Sequence, residues 1–198
     1  MAKRSPYMNS MADDAARLIY RNGYVDLQQV KKKVALASGL AHSHLLANEA
    51  IVAALQVYIA EEAQQENQQQ WLAHYAIAEE AMTFLQDFQP ALSEYMAEGI
   101  ASLHLPVTLH LFASAAEEVL MFFDQHQIPH HVVDVRVRFG QQYDHRTGIN
   151  FIVDDIAVEL VVFTQDERFQ RPISPLTGKP AKRLQGKKLQ NFVNRMKA

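Results

Sequence analysis

Within residues 131–138, HVVDVRVR, apolar and polar side chains alternate from Val133 to Arg138. Three valines fall on one side of an extended chain and three charged residues on the other, which predicts a strand with one buried face. Working outward, runs rich in Val, Leu, Ile and Phe predict further strands at 95–100, 106–112 and 156–163. The polar residues 141–148 predict the turn that joins the last two strands into a hairpin.

Towards the N-terminus the apolar residues recur every three or four positions instead, which is typical of helices. Helices are predicted over 12–22, from Asp26 to 37, from Asn48 onward, and around 71–85, with the last two forming an antiparallel hairpin. The stretch EEAQQENQQQ between those two offers nothing to bury and predicts an exposed helix end or connecting turn. One more helix is predicted between the second and third strands.

These elements predict an α+β fold in which an N-terminal helical bundle packs on a small mixed β-sheet with one or two helices. The chain divides into a helical region at 1–90, an α/β core at 91–165 and a C-terminal tail at 166–198. Nine lysines and arginines follow residue 167, with a possible short helix at 189–196. We expect a basic tail that either projects into solvent or folds across the domain.

Composition narrows the function classes. The 198 residues are 48% apolar and 21% charged, which is typical of a folded domain. There is no cysteine, so disulfides and thiolate chemistry are excluded. No long apolar run or signal peptide is visible, and we expect a cytoplasmic protein without a membrane partner. The net charge of −3 confines any polyanion binding to a local patch.

Several segments carry a resemblance to a known family, and they run along nearly the whole chain. They are AARLIYRNGYVDLQQVKKKV, NEAIVAAL, FQPALSEYMAEGIAS, VTLHLFAS and SPLTGKPAKRL. With these segments the chain resembles a proteobacterial family of similar length known as predicted nucleotidyltransferases. Members are sometimes mislabelled UDP-N-acetylmuramate–alanine ligases. The ligase label does not fit, because this chain has no GxxxxGK[ST] phosphate loop.

The resemblance implies a nucleotidyltransferase-like core with three functional positions. In that superfamily a Gly-Ser turn holds the triphosphate, and two carboxylates in an Asp-x-Asp pattern bind two Mg²⁺ ions with a third acid on a later strand. On this sequence the turn falls at Gly99 to Ser102, the Asp-x-Asp positions at Thr108 and His110, and the third acid at Glu159. Two of the three acids are missing, so the core is degenerate.

The resemblance therefore predicts a protein that binds a nucleotide or another phosphorylated ligand with weak or absent catalysis. Glu159 is the candidate catalytic residue, and His110 with Glu159 are candidate metal ligands. Mg²⁺ or Mn²⁺ is expected only if nucleotidyl transfer is retained. The candidate ligand-binding residues are Gly99, Ser102, Thr108, His110, Arg168, Lys179 and Arg183.

An alternative function of a different class is left open by the basic tail. In it the protein is a noncatalytic module that binds nucleic acid or a protein partner through the tail or a helical face. Apolar positions on the helices leave an oligomer possible. The two hypotheses differ in where the tail cations lie: folded back over the second strand, they favour a ligand pocket.

Overall fold

The computed structural model describes residues 6–24, 26–39 and 46–197. Within them lie seven α-helices and five strands, with short 3₁₀ helices at Gln86–Phe88 and Gln165–Arg168. The helices are α1 (Pro6–Asn22), α2 (Leu27–Ala37), α3 (Asn48–Glu62), α4 (Gln64–Phe84), α5 (Glu94–Ala97), α6 (Ala116–Gln125) and α7 (Gly186–Lys197). The strands are β1 (Ala91–Leu92), β2 (Val107–Ala113), β3 (His131–Phe139), β4 (Gln142–Val153) and β5 (Ile156–Thr164). The predicted α+β class is confirmed.

The sheet is mixed, with the strand order β1-β2-β5-β4-β3. β2 and β5 run parallel and every other pair is antiparallel. One face carries Leu109 and Leu160 into a core built with α4, α6 and α7. Because side chains alternate along a strand, Thr108, His110 and Glu159 all belong to the opposite face. That face is covered by the C-terminal segment.

The strand predicted at 95–100 is wrong. β1 is only Ala91–Leu92, and the chain then turns through Glu94, whose φ is +49°, into the short helix α5. Gly99, with φ of +81°, ends this turn. The apolar residues after Glu94 are buried, but they are buried as helix and loop under the N-terminal helices, which a strand-like composition does not reveal.

The polar turn predicted at 141–148 is also wrong, because β4 begins at Gln142. The connection to β3 is a tight turn at residues 140–141, and β4 joins β5 through Asp154 and Asp155, both with positive φ. The first half of β4 is exposed, so its polar side chains remain in water when this segment forms a strand. Pairing with β3 gives these residues their extended conformation.

The predicted hairpin of α3 and α4 does not form. α3 buries Ile51 and Leu55 against α1 and α2, whereas α4 buries Trp71 and Ala78 against the sheet. The glutamine-rich stretch between them is almost entirely helical, interrupted only at Ala63. The two helices therefore belong to different apolar clusters.

The C-terminal segment is part of the fold. Leu184 pairs with Leu92 of β1, and the chain continues into α7, whose Leu189 and Val193 are buried with α4. The helix predicted at 189–196 is confirmed within α7. Across the described residues, none of the helices combines the length and apolar character that crossing a membrane requires.

Leu176 tests whether this segment contributes to stability. It is 2% exposed and packs in the same cluster as α1, α2 and α3. We expect Leu176→Ala to lower the free energy of unfolding by about 3 kcal/mol, because it leaves a cavity. Urea denaturation measures this change. The matched control is Leu36→Ala, at a side chain that is 79% exposed. An equal effect of the two variants would contradict the assignment.

Candidate functional site

A cavity of about 630 Å³ lies on the sheet face opposite α4 and α6. Residues 172–178, which we call the strap, form one wall, and the first turn of α2 with Asn48 forms another. The β3–β4 hairpin supplies the remaining side. The polar and charged side chains that line the cavity are Asp26, Gln28, Asn48, Glu94, Tyr95, Thr108, His110, Arg136, Arg138, Tyr143, Glu159 and Ser174.

The floor of the cavity contains three of the residues that the sequence predicts for the site. Thr108 and His110 alternate along β2, and Glu159 is the register partner of Thr108 on the parallel strand β5. The side-chain period of two brings all three to one face. The structure thus brings Thr108, His110 and Glu159 together on the floor of one cavity.

The strap is held by contacts to three separate elements. The Ile173 amide donates to the Arg138 carbonyl at 2.6 Å, and Asn48 Nδ2 donates to the Pro175 carbonyl at 2.8 Å. The Ser174 hydroxyl donates to Glu94 Oε2 at 2.7 Å. With Leu176 buried as well, the strap is a fixed wall of the cavity.

Glu94 is a site residue that the sequence did not single out. Its positive φ directs the chain out of β1, and its carboxyl faces the cavity beside Ser174. Burial raises the pKa of Glu94, and the charges of Glu98 and Glu159 raise it further against the opposing hydrogen bond from Ser174. No motif marks this position, because the feature that creates it is the turn after a two-residue strand.

Glu159 is the second carboxyl of the cavity. Burial raises the pKa of this group too, and in the described part of the chain no ion pair compensates it. Because two neighbouring carboxyls cannot both ionise without mutual repulsion, their protonated forms persist to higher pH than in water. A protonated carboxyl can donate as well as accept a hydrogen bond.

His110 is neutral, because it is buried and because Arg183 lies against it. Arg183 Nε donates to His110 Nδ1 at 3.0 Å. Burial lowers the pKa of His110 to about 3, and the positive charge of Arg183 acts in the same direction. The imidazole also lies 4.7 Å from the ring of Phe163. The neutral imidazole accepts a hydrogen bond from the guanidinium, and this contact has a structural role.

The predicted metal site at His110 and Glu159 gains no support from this geometry. His110 Nδ1 already accepts from a cation, whose charge opposes a second positive ion at the same nitrogen. Within the described ranges no group of three or more His, Asp or Glu side chains could hold a metal ion.

The predicted phosphate turn and tail cations lie away from the cavity. Gly99 faces Met196 and Phe192 of α7, and Ser102 is buried with its hydroxyl turned to the His104 amide. Arg168 and Lys179 are exposed and do not line the cavity. Among the tail cations only Arg183 reaches β2, where its Nε–H donates a hydrogen bond to His110 Nδ1.

Two arginines of β3, Arg136 and Arg138, lie at the rim of the cavity. Val137 belongs to the sheet face that carries Glu159, so the side chains of both arginines leave β3 on the opposite face. The guanidinium of Arg136 lies 3.8 Å from the ring centroid of Tyr143. The sequence pattern that predicted the strand contained both arginines, but their place at the cavity depends on the pairing of β3 with β4 and of β4 with β5, which the pattern does not show.

No family model, no curated protein and no solved structure matches this chain. The cavity and the residues that line it are therefore the basis for the proposed function.

The neutral imidazole of His110 predicts a pH dependence of stability. Its pKa is lowered on folding from 6.5 to about 3, so the unfolded chain binds the proton more tightly and stability falls as pH drops below 6.5. When the pH falls from 7 to 5, we expect this group to lower the free energy of unfolding by about 2 kcal/mol.

The variant His110→Asn keeps an acceptor near Arg183 Nε and removes the titration. We expect its unfolding free energy, measured by urea denaturation at both pH values, to fall less than that of the wild type. His126→Asn, at an exposed position, is the control. An unchanged difference between pH 7 and pH 5 in His110→Asn would refute the assignment.

Proposed function

We propose that the protein binds a nucleotide or another phosphorylated small molecule in the cavity, with weak or absent nucleotidyl transfer. The observation that carries the proposal is the convergence of Thr108, His110 and Glu159 with two arginines around one concave space. A cavity of this size with a few convergent polar groups and perturbed pKa values is the usual setting of a ligand site.

The charge distribution supports an orientation for the ligand. The carboxyls of Glu94 and Glu159 line the interior and suit the N–H and O–H groups of a base or sugar. Arg136 and Arg138 lie at the β3 rim with side chains that leave the opposite sheet face, so they attract phosphate through their charge and not as paired donors. The phosphate end is therefore assigned to the β3 rim and the neutral polar end to the interior.

Catalysis is proposed to be weak because the floor lacks two of the three expected acids. Thr108 and His110 occupy the Asp-x-Asp positions, and neither is a suitable Mg²⁺ ligand. The proposed membership of the nucleotidyltransferase-like family and a cytoplasmic location, where nucleotides are abundant, fit this function.

Calorimetric titration with ATP, CTP, GTP and UTP, each with and without Mg²⁺ or Mn²⁺, tests the proposal. We expect saturable binding of at least one nucleotide. Glu159→Gln is expected to weaken it about tenfold, through the lost hydrogen bond of a charged group. Arg138→Gln is expected to weaken triphosphates more than the corresponding nucleosides, since it removes a positive charge from the rim where the phosphates are placed.

Two variants are matched controls for this titration. Glu61→Gln and Arg195→Gln change the same residue types at exposed positions outside the cavity and should bind as the wild type does. Absence of binding for every nucleotide, or equal losses in cavity and control variants, would sink the proposal. Metal-dependent binding lost in Glu159→Gln would favour retained transferase chemistry.

The alternative of nucleic-acid binding through the basic tail has one observation in its favour. α7 exposes four cations, Lys187, Lys188, Arg195 and Lys197, and contains no acidic residue. In the remainder of the tail Arg183 is committed to the fold, whereas Arg168, Arg171 and Lys179 are also exposed. The cavity hypothesis is the stronger of the two, because it rests on a concave site with convergent polar groups.

Single-stranded RNA titrated at low and moderate salt distinguishes the two hypotheses. If α7 binds phosphates, the double variant Lys187→Gln/Lys188→Gln should lower the affinity and reduce the slope of log K against log salt by about 1.4, as expected for two lost contacts on a single strand. Binding that is absent, or indifferent to both substitutions, rejects the α7 hypothesis. Glu159→Gln should leave RNA binding unchanged.

A further inference from the structure

β3 is an edge strand whose outer side is largely open in the part of the chain that the structure describes. Its neighbour in the sheet is β4. The Arg138 carbonyl points away from β4, since it accepts a bond from the Ile173 amide. Outward-pointing residues alternate in an antiparallel ladder, so the main-chain groups of Asp134 and Arg136 point outward too. Among the described residues neither has a main-chain partner on that side.

This edge lacks most of the devices that keep strand edges apart. β3 is nine residues long and contains no proline, lysine or glycine. Val132 and Val133 are 55% and 37% exposed at its first half. An exposed edge of this length with apolar side chains is a template for another strand unless something covers it.

The sequence of β3 is complementary to itself in one antiparallel register. With a two-fold axis at Val135, Asp134 lies opposite Arg136 of a second copy, and Arg136 lies opposite its Asp134. Val133 then faces Val137 of the second copy. Registers centred on Asp134 or on Arg136 would instead place identical charges opposite each other, which is unfavourable.

Main-chain geometry selects the same register. Asp134 and Arg136 are both outward-pointing, so each cross-copy pair exchanges two N–H···O bonds, which gives four in total. The two charged side chains lie at the surface. Asp134 is 68% exposed and bonds the exposed His145, and Arg136 is exposed beside Tyr143. The Ile173 amide already donates to the Arg138 carbonyl, so the ladder between the copies does not extend to Arg138.

We propose that the protein forms a homodimer through antiparallel pairing of β3 with β3 of a second copy about Val135. The ladder is short, so the interface is small and the dimer is weak and concentration-dependent. The dimer goes beyond the proposed ligand binding and does not depend on it, because the edge is present without ligand.

Sedimentation equilibrium of the full chain, from micromolar to submillimolar concentration and without nucleotide, tests the proposal. We expect a monomer–dimer equilibrium that weakens with salt. Asp134→Arg and Arg136→Asp each place like charges opposite one another twice, and each should lower the association constant about tenfold or more. The double variant carrying both substitutions restores opposite charges and should recover the association.

Glu118→Arg, an exposed charge reversal on α6, is the matched control and should associate as the wild type does. Circular dichroism of each variant establishes that it is folded. A wild type that stays monomeric at the highest concentration overturns the proposal. A dimer that the single reversals leave intact, or that the double variant fails to recover, overturns it as well.

Discussion

The rest of the structure depends on Arg183, which holds the C-terminal segment against the open face of the sheet. Its Nε donates to His110 Nδ1, and its Nη1 donates to the carbonyls of Glu167 and Gln170 at 2.8 and 2.9 Å. The guanidinium lies 4.8 and 4.6 Å from the ring centroids of Phe112 and Phe163. Burial lowers the pKa of Arg183 to about 10, which is the electrostatic cost of this position. Main-chain acceptors and aromatic faces offset that cost.

The cavity follows from this anchoring. With Arg183 on His110 and Leu176 among the N-terminal helices, the strap has to cross between them and close one side of the space above Glu159. His110 stays neutral, so the interior carries carboxyls without a histidine cation to balance them. The arginines that line the cavity, Arg136 and Arg138, lie at the β3 rim. The proposed orientation of the ligand rests on this separation of interior carboxyls from rim cations.

The C-terminal segment covers the two edges of the sheet to different extents. At β1 the chain pairs through Leu184 before entering α7, which covers that edge. At β3 the segment contributes the single bond from Ile173 and then turns inward. The open remainder of β3 is the surface assigned to a second copy. The ligand cavity and the proposed dimer edge thus both involve β3. Arg136 belongs to both, because it lies at the rim of the cavity and faces Asp134 of the second copy in the proposed dimer.

The sequence by itself determined the α+β class, the strands at β2, β3 and β5, and the helices whose apolar residues recur at a helical period. It also placed Thr108 and His110 on one face of a strand, because strand periodicity is a local property of the backbone. The pairing of β5 with β2, which is tertiary, brings Glu159 to that face. The sequence missed Glu94, the strand β4 and the position of Arg136 and Arg138 at the cavity. Those depend on which segments meet: a carboxyl becomes a site residue only where a turn aims it into a cavity, and a polar stretch becomes a strand only where a partner pairs with it. The tail cations show the same division. The sequence gives their charge, but tertiary packing determined that Arg183 is buried, because aromatic rings and main-chain carbonyls there replace the water that would hydrate its guanidinium.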